Sequence, residues 1–330
     1  MKLSVLMSVY NGGCYLAPAV DSILNQTFRD FEFIIVNDGS TDRTREFLEA
    51  YAQKDVRIRL IHQEKNQGLT AALNLGLSQA QGTYLARMDA DDVSMPERFA
   101  RQLDWMEAHP ECGVLGTAYR IMDADGTTQL DCHFANDHHF LLWYLCFQNP
   151  LAHPSVMLRT ALLREAGGYR EQALYSEDFD LWWRLATVTE MGFLPEVLVS
   201  LRRHSGCVSL IRAQEQIQMR NRVLGSMLPN IGAGHLSPLL DPPVTPEKQR
   251  RFIHELLKYF ESRKGITSSA RELIRQDAAL RLAWLAFRYP FQAGGALQEG
   301  FALAPGLVGR VVKDGCKRLL TRSACNPIRK

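Results

Sequence analysis

The chain has 330 residues, of which 46% are hydrophobic and 22% are charged. This composition excludes a mainly disordered or fibrous protein, and the length favours two domains or one large core with an appendage. The formal net charge of +2 gives no overall attraction to nucleic acid.

The N-terminal third of the chain alternates between short apolar runs and amphipathic stretches. We predict strands over 3–9, 31–36, 56–61 and 83–88, and helices over 15–25, 69–80 and 96–108 with a further helix ending at Tyr51. This alternation predicts a parallel sheet covered by helices on both faces, with ligands bound beyond the carboxyl ends of the strands. The polar turns after the first, second and fourth strands should therefore meet at one crevice.

The pattern loosens after Gly113, although strands over 114–121 and 197–202 and a helix over 176–187 are still predicted. From about Arg212 the composition is helical, and a cluster of four prolines between 238 and 246 is typical of a linker. We therefore predict two domains, 1–212 and 213–330.

Three carboxylates lie within four residues, in Asp89-Ala90-Asp91-Asp92, at the end of the fourth strand. Such a concentration of negative charge is costly unless a cation or several donors neutralise it. A divalent cation with oxygen ligands fits this need, and a solvated turn that caps the next helix is the alternative. An EF-hand fits poorly, because Val93 occupies a ligand position.

A second polar turn, Asn37-Asp38-Gly39-Ser40-Thr41-Asp42, follows the second strand. Asp38 could accept a hydrogen bond from a ribose hydroxyl or a base N–H, or the segment could be only a turn with a helix cap. A dinucleotide or P-loop site is weakly supported, because neither glycine-rich phosphate motif occurs.

Five segments occur in an order that identifies a resemblance. They are Ser8-Val9-Tyr10-Asn11, Val36 to Asp42, Asn66-Gln67-Gly68-Leu69, Met88 to Asp92, and Ser176-Glu177-Asp178-Phe179-Asp180-Leu181-Trp182. Over 2–212 the chain resembles family 2 glycosyltransferases, which are inverting, nucleotide-sugar-dependent enzymes. The resemblance implies an α/β fold of GT-A type, with a Rossmann-like, mostly parallel sheet flanked by helices, here followed by a C-terminal helical extension.

The resemblance also implies roles for individual residues. Asp91, Asp89 and His204 would hold Mn²⁺ or Mg²⁺, and Glu177-Asp178 would be the catalytic acidic pair, with Asp178 as the base. Burial beside Glu177 and the indoles of Trp182 and Trp183 should raise the pKa of that base, and these rings could stack on a sugar or belong to the core. The nucleotide sugar, with a UDP-sugar favoured, would be bound by Val9, Tyr10, Asn11, Asp38, Asn66, Gly68, Arg87, Asp89, Ala90 and His153.

The expected partners are the nucleotide-diphosphate sugar and a saccharide or lipid-linked acceptor in surface polysaccharide synthesis. A sugar nucleotidyltransferase is one alternative, but the first turn, Tyr10 to Cys14, lacks the basic residue that such enzymes place there. A non-catalytic glycan-binding scaffold on the same fold is the other alternative. The sequence leaves the donor sugar, the linkage and the oligomeric state open.

The remaining signals concern location. An odd number of cysteines, seven, without a C-x-x-C pair predicts neither a disulfide scaffold nor a zinc site, and the first apolar run is too short for a signal peptide. We therefore expect a reduced, cytoplasmic setting.

Residues 281–330 carry a net charge of +7, with nine basic and two acidic residues, beside apolar stretches over 278–291 and 301–312. This region could lie peripherally on the inner face of a membrane or pack as a helical subdomain.

Overall fold

The computed structural model describes residues 1–289, 295–304 and 306–308. The chain forms two compact units: residues 1–136 with 149–212, and residues 137–148 with the described chain from 213 onward. Segment 137–148 therefore groups with the C-terminal helices, which the sequence did not predict. Whether 1–212 and 213–330 are independent domains stays a prediction, because compactness alone does not show that either part folds by itself.

The first unit is built on one nine-stranded sheet of order β3-β2-β1-β4-β8-β6-β9-β5, with β7 paired to β6. The strands are β1 (Leu3–Val9), β2 (Phe31–Asp38), β3 (Ile58–Gln63), β4 (Tyr84–Asp89), β5 (Val93–Ser94), β6 (Cys112–Asp123), β7 (Thr128–Cys132), β8 (Met157–Arg159) and β9 (Glu190–Arg203).

Twelve α-helices accompany the sheet in the described chain. They are α1 (Leu16–Leu24), α2 (Thr44–Ala52), α3 (Leu69–Gln79), α4 (Arg98–Ala108), α5 (His138–Leu145), α6 (Thr160–Glu165), α7 (Glu177–Leu185), α8 (Val208–Ile211), α9 (Ala213–Met227), α10 (Pro246–Ser262), α11 (Ser268–Arg288) and α12 (Ala296–Leu303).

The first four strands form the predicted parallel half of the sheet. β1 pairs in parallel with β2 and with β4, and β2 pairs in parallel with β3. β8 runs antiparallel between β4 and β6, so the other half is mixed. The GT-A type α/β fold is confirmed.

Register brings the predicted polar turns together. Val9 lies opposite Asn37, and Ser8 lies opposite Asp89, so β1, β2 and β4 end side by side. The apolar runs of these strands are buried on both faces, as in a parallel sheet covered by helices. The predicted crevice edge therefore exists in the fold, and it rests on a rigid core.

The second unit consists of helices packed around aromatic side chains. Trp143 of α5 is fully buried, lies edge-on to Phe260 of α10, and donates from Nε1 to Asp277 of α11 at 2.7 Å. This packing explains why α5 belongs with the later helices.

The proline cluster, predicted to be a linker, is also structured. Gly234–Leu240 form a 3₁₀ helix, and Pro246 is the first residue of α10, where the missing backbone N–H costs no hydrogen bond.

Within the described residues, the longest helices are too short or too polar to serve as membrane spans. The basic residues from 309 onward, on which the membrane expectation depends, lie outside the described residues. Cys112 and Cys146 are buried free thiols, and Cys14 is an exposed one.

Candidate active site

The turns after β1 and β2 are held together by the side chain of Asn11. Its backbone N–H donates to Ser40 Oγ at 2.9 Å, and its Oδ1 accepts from the Thr41 N–H at 2.8 Å. Val9 is buried below this junction, whereas Tyr10 is 50% exposed above it. Of the residues predicted to bind the nucleobase, Tyr10 therefore has an exposed aromatic ring. Asn11 fixes the shape of the two turns at this edge of the sheet.

The Asp38 carboxylate organises the next turn. It is 2% exposed, and its two oxygens accept from the Gln67 N–H at 2.8 Å and the Gly68 N–H at 2.9 Å. Gly39 beside it has a φ of +66°, and a Cβ there would lie 2.4 Å from the Lys65 carbonyl carbon. The structure thus brings Asp38, Gly68 and the exposed Asn66 into one loop.

The acidic turn after β4 forms a tight cluster. Carboxylate oxygens of Asp89, Asp91 and Asp92 lie within 4.8 Å of one another, and Ala90 is half-buried between them. Burial raises the pKa of Asp92 well above its usual range, and the negative charges of Asp91 and Asp89 raise it further. Asp92 is 4% exposed and accepts from the Arg202 N–H at 2.7 Å, so it anchors β9 to this turn.

His204 completes the cluster from the far end of the unit's sequence. Its Nε2 lies 2.9 Å from Asp91 Oδ2, and its ring packs 4.8 Å from that of Tyr15. Arg202 stacks on the same tyrosine at 4.9 Å and donates from Nε to the Asp91 carbonyl at 3.0 Å. His204 therefore reaches the predicted ligand Asp91 across 113 residues of sequence, and Asp91 in turn lies beside Asp89.

The donor atoms of this cluster suit a hard divalent cation. Carboxylate oxygens and an imidazole nitrogen match Mg²⁺ or Mn²⁺, and the mutual repulsion of three carboxylates is relieved by positive charge. Cys207 Sγ also lies within 4.8 Å of Asp91 and His204 ligand atoms. It donates to the Arg202 carbonyl at 3.3 Å, and burial raises its pKa, so this thiol stays protonated and orders the turn.

Arg87 is a buried cation beside the acidic turn. Its side chain is 1% exposed and forms an ion pair with Asp89, while its Nε has no hydrogen-bond partner among the described residues. The Arg87 charge lowers, and the Asp89 charge raises, the pKa of both Glu177 and Asp178. Arg87 and Asp89 therefore belong to the electrostatic environment of this second acidic pair.

Asp178 lies in the first turn of α7 and is only half-buried. Its Oδ2 accepts from Asn149 Nδ2 at 2.7 Å, and its Oδ1 accepts from the Phe179 N–H at 2.7 Å. Burial raises its pKa to about 6, in the predicted direction. For Glu177, burial and then the Asp178 charge raise the pKa to about 7. Asp178 is therefore the better base near neutral pH, because it is mostly ionised there.

The indoles beside this pair belong to the core. Trp182 and Trp183 are both 0% exposed, and Trp182 donates from Nε1 to the Leu151 carbonyl at 3.2 Å. The suggestion that one of them stacks on a sugar is therefore wrong, because no ring face is open.

His153 is buried, and its Nε2 lies 2.9 Å from the Tyr169 hydroxyl. Burial and the nearby Arg87 charge lower its pKa well below the usual range, so the ring is neutral. Asn74 fixes Tyr169 by accepting from its N–H at 2.9 Å and donating to its carbonyl at 2.8 Å. Direct contact between His153 and a donor sugar stays a prediction.

Sequence reasoning gave no role to three further residues near this site: Asn149, Tyr169 and Arg202. Asn149 begins the Asn-Pro turn before His153, and Arg202 precedes His204 by two residues. Their proximity to predicted residues was the available signal, but nothing local shows that Asn149 reaches Asp178.

Comparison with known proteins shows which sequences and folds this chain resembles. Residues 4–160 match the sequence profile of Glycosyl transferase family 2. The amylovoran biosynthesis glycosyltransferase AmsE of Erwinia amylovora is 32% identical over 218 residues, 65% of this chain and 81% of AmsE. The O-antigen biosynthesis glycosyltransferase WbnJ of Escherichia coli is 34% identical over 207 residues, 62% of this chain and 80% of WbnJ.

Two solved structures show the same fold. The S. aureus TarS 1–349 complex with UDP has a TM-score of 0.58 at 18% identity, covering 96% of this chain and 92% of that one. The mannosyltransferase PcManGT from Pyrobaculum calidifontis, in complex with GDP-Man and Mn²⁺, has a TM-score of 0.57 at 18% identity, covering 93% of this chain and 87% of that one. The profile, the relatives and the fold agree: this chain is an enzyme that belongs to glycosyltransferase family 2.

Proposed function

We propose that this enzyme transfers a sugar, with inversion, from a nucleotide-diphosphate sugar to a hydroxyl of a glycan or lipid-linked acceptor. A UDP-sugar is favoured. The observation that carries the proposal is the group of carboxylates of Asp89, Asp91 and Asp92 after β4, with His204 beside Asp91, because it is a donor set for a divalent cation. The charges of Arg87 and Asp89 act on the pKa of Asp178, which supports a base in the same site. The names of AmsE and WbnJ, both biosynthesis glycosyltransferases, support a place in surface polysaccharide synthesis.

The donor would bind across the ends of β1, β2 and β4. Tyr10 offers its exposed ring to the base, and the Asp38 loop carries Asn66 and Gly68 to the same edge. TarS, crystallised with UDP, supports the nucleotide, and PcManGT, crystallised with Mn²⁺, supports the metal. Asp89, Asp91 and His204 would hold Mn²⁺ or Mg²⁺, which when bound offsets negative charge on the diphosphate leaving group.

The catalytic base, Asp178, acts on the acceptor hydroxyl. Asp178 takes the proton from the attacking hydroxyl, whose oxygen forms a bond to the anomeric carbon. The bond from that carbon to the diphosphate oxygen breaks, and its electron pair leaves with the diphosphate. Attack opposite the leaving group inverts the anomeric centre. Asn149 holds the Asp178 carboxylate in place at 2.7 Å throughout.

The test is incubation of the full chain with a panel of nucleotide sugars, acceptor saccharides and Mn²⁺ or Mg²⁺, with nucleoside diphosphate release as the readout. We expect Asp178→Asn to lower kcat about 10²-fold or more, the usual contribution of a general base. Asp91→Ala should abolish turnover, and added Mn²⁺ or Mg²⁺ should no longer stimulate nucleoside diphosphate release. The exposed Asp104→Asn on α4 is the matched control and should behave as the unchanged protein.

Three results would count against the proposal. Full turnover in Asp178→Asn would refute the base, and NMR evidence of a retained anomeric configuration would refute the single displacement. Release of pyrophosphate from a nucleoside triphosphate and a sugar phosphate would favour the nucleotidyltransferase alternative.

A cytoplasmic setting with peripheral membrane association is a separate proposal. It is supported by the excess of basic residues over 281–330. Anionic vesicles should retain the full chain at low salt and release it at high salt, because exposed charges are screened. Binding that is insensitive to both salt and lipid charge would refute an electrostatic tail.

A further inference from the structure

The helical unit contains a cavity of about 340 Å³ between α5, α9, α10 and α11. Its size lies at the lower end of small-molecule pockets, which span roughly 300–1,000 Å³. Apolar side chains dominate the lining, among them Leu224, Phe252, Ile253, Leu280 and Trp284. All lining residues belong to the second unit, so this cavity is separate from the candidate active site.

One guanidinium in this lining has no counter-charge. Arg220 of α9 forms no hydrogen bond or ion pair with any described residue, and it is partly buried. Burial, and then the positive charge of Arg281, lowers its pKa to about 10. The Arg220 guanidinium lines an apolar cavity without an anionic partner among the described residues, so an anionic group placed in the cavity would gain an ion pair in surroundings that strengthen it.

The acidic residue of the lining is already engaged. Asp277 Oδ2 accepts from Trp143 Nε1 at 2.7 Å and forms an ion pair with Arg281. Arg281 also stacks on Phe147, with its guanidinium carbon 3.9 Å from the ring centroid. Asp277 therefore neutralises the Arg281 charge, whereas no acidic residue in the described part of this unit pairs with Arg220.

We infer that this cavity binds an amphipathic anion: a single apolar chain with one phosphate or carboxylate group, the chain among the leucines and aromatic rings and the anionic group on Arg220. A guanidinium suits both groups, because its planar donors match two oxygens at once. Segment 309–330 of the same chain does not suit this cavity, because its charge does not complement Arg220: it carries one acidic residue, Asp314, and seven basic residues.

Calorimetric titration of the full-length protein tests the chemistry of the ligand. Dodecyl phosphate, kept below its micelle concentration, should bind, whereas dodecyltrimethylammonium and inorganic phosphate should not. The cation has the same chain with the wrong charge, and phosphate has the charge without the chain. No binding of dodecyl phosphate, or equal binding of the dodecyl cation, would overturn the inference.

Variants test the assigned residue. Arg220→Gln should weaken dodecyl phosphate binding roughly tenfold or more, the range of a hydrogen bond to a charged group. Arg222→Gln, two residues along α9 and exposed, should not change it. The ligand-free Arg220→Gln protein should melt no lower than the unchanged chain, because it loses an unpaired charge. A lower melting temperature with unchanged binding would make Arg220 structural and overturn the assignment.

Leu280→Trp provides an independent check, because a larger side chain should fill the cavity and abolish binding while Arg220 remains. Binding that survives in this variant would place the ligand elsewhere.

Vesicle sedimentation then separates two sources of the ligand. Retention on phosphatidylcholine vesicles that contain phosphatidic acid, lost in Arg220→Gln but not in Arg222→Gln, assigns the site to a membrane lipid. Binding of dodecyl phosphate without Arg220-dependent retention assigns it to a free amphiphile.

Discussion

The hydrogen bond from Asn149 to Asp178 should set the pH range in which the enzyme works. Asn149 Nδ2 donates to the Asp178 carboxylate at 2.7 Å, and this contact stabilises the ionised form. Asn149→Ala removes the donor. A hydrogen bond to a charged group contributes about 1.5–3 kcal/mol, and one pKa unit corresponds to about 1.36 kcal/mol. The pKa of Asp178, about 6 in the unchanged protein, should therefore rise by about one to two units.

The direction of the effect on rate follows from the role of the base. Asp178 must be ionised to accept a proton, so activity falls as pH drops through its pKa. A pKa raised by one to two units lowers the ionised fraction at pH 7 about two- to tenfold, and the rate should recover at more alkaline pH.

The assay is kcat/KM for nucleoside diphosphate release, measured across pH. The acid limb of the Asn149→Ala profile should move to higher pH, whereas the exposed Asn25→Ala at the C-terminal end of α1 should keep the original limb. Asn149 Oδ1 also accepts from the Leu151 N–H at 3.1 Å, so loss of turn structure is the competing effect. That effect would lower the rate equally at every pH, and an unmoved acid limb would refute the reasoning.

Three further predictions concern the metal, the donor loop and the core. Removal of divalent cations with EDTA should stop turnover, and His204→Gln should raise the Mn²⁺ concentration needed to restore it about tenfold or more; an unchanged requirement would exclude this histidine as a ligand. Gly39→Ala should lower the free energy of unfolding in urea by about 1–3 kcal/mol and raise KM for the donor, because its Cβ would meet Lys65. Gly13→Ala, with a φ of +54° but open space, is the matched control, and equal losses would refute the steric argument. Arg98→Met should lower the free energy of unfolding by about 2–4 kcal/mol in the same measurement, since it removes the guanidinium hydrogen bonds to the buried Arg87 and Val156 carbonyls at 3.0 Å; a neutral effect would refute the reasoning.

The elements that local pattern determines were predicted well. β1, β2 and β4 are continuous apolar runs that end in polar turns, and the predicted and observed ends differ by only one or two residues. Their convergence could also be predicted, because the carboxyl ends of neighbouring parallel strands share an edge. Motif order then indicated the family, which the relatives confirm.

Contacts between distant segments could not be predicted from the local sequence pattern. β8 has three residues, too few for a periodic signal, and α5 reads as an apolar segment whose packing partner is unmarked. The burial of both indoles depends on where remote helices lie, and so does the lack of a partner for Arg220 among the described residues.

The sequence by itself determined the strands, the positions of the acidic turns and the chemical types of the site residues, because these depend on hydrophobic periodicity and on residues close together in the chain. Only the tertiary structure decided that buried Arg87 pairs with Asp89, that Asn149 bonds Asp178, and that His204 reaches Asp91. Those contacts arise from burial and strand register, which are properties of the folded chain as a whole.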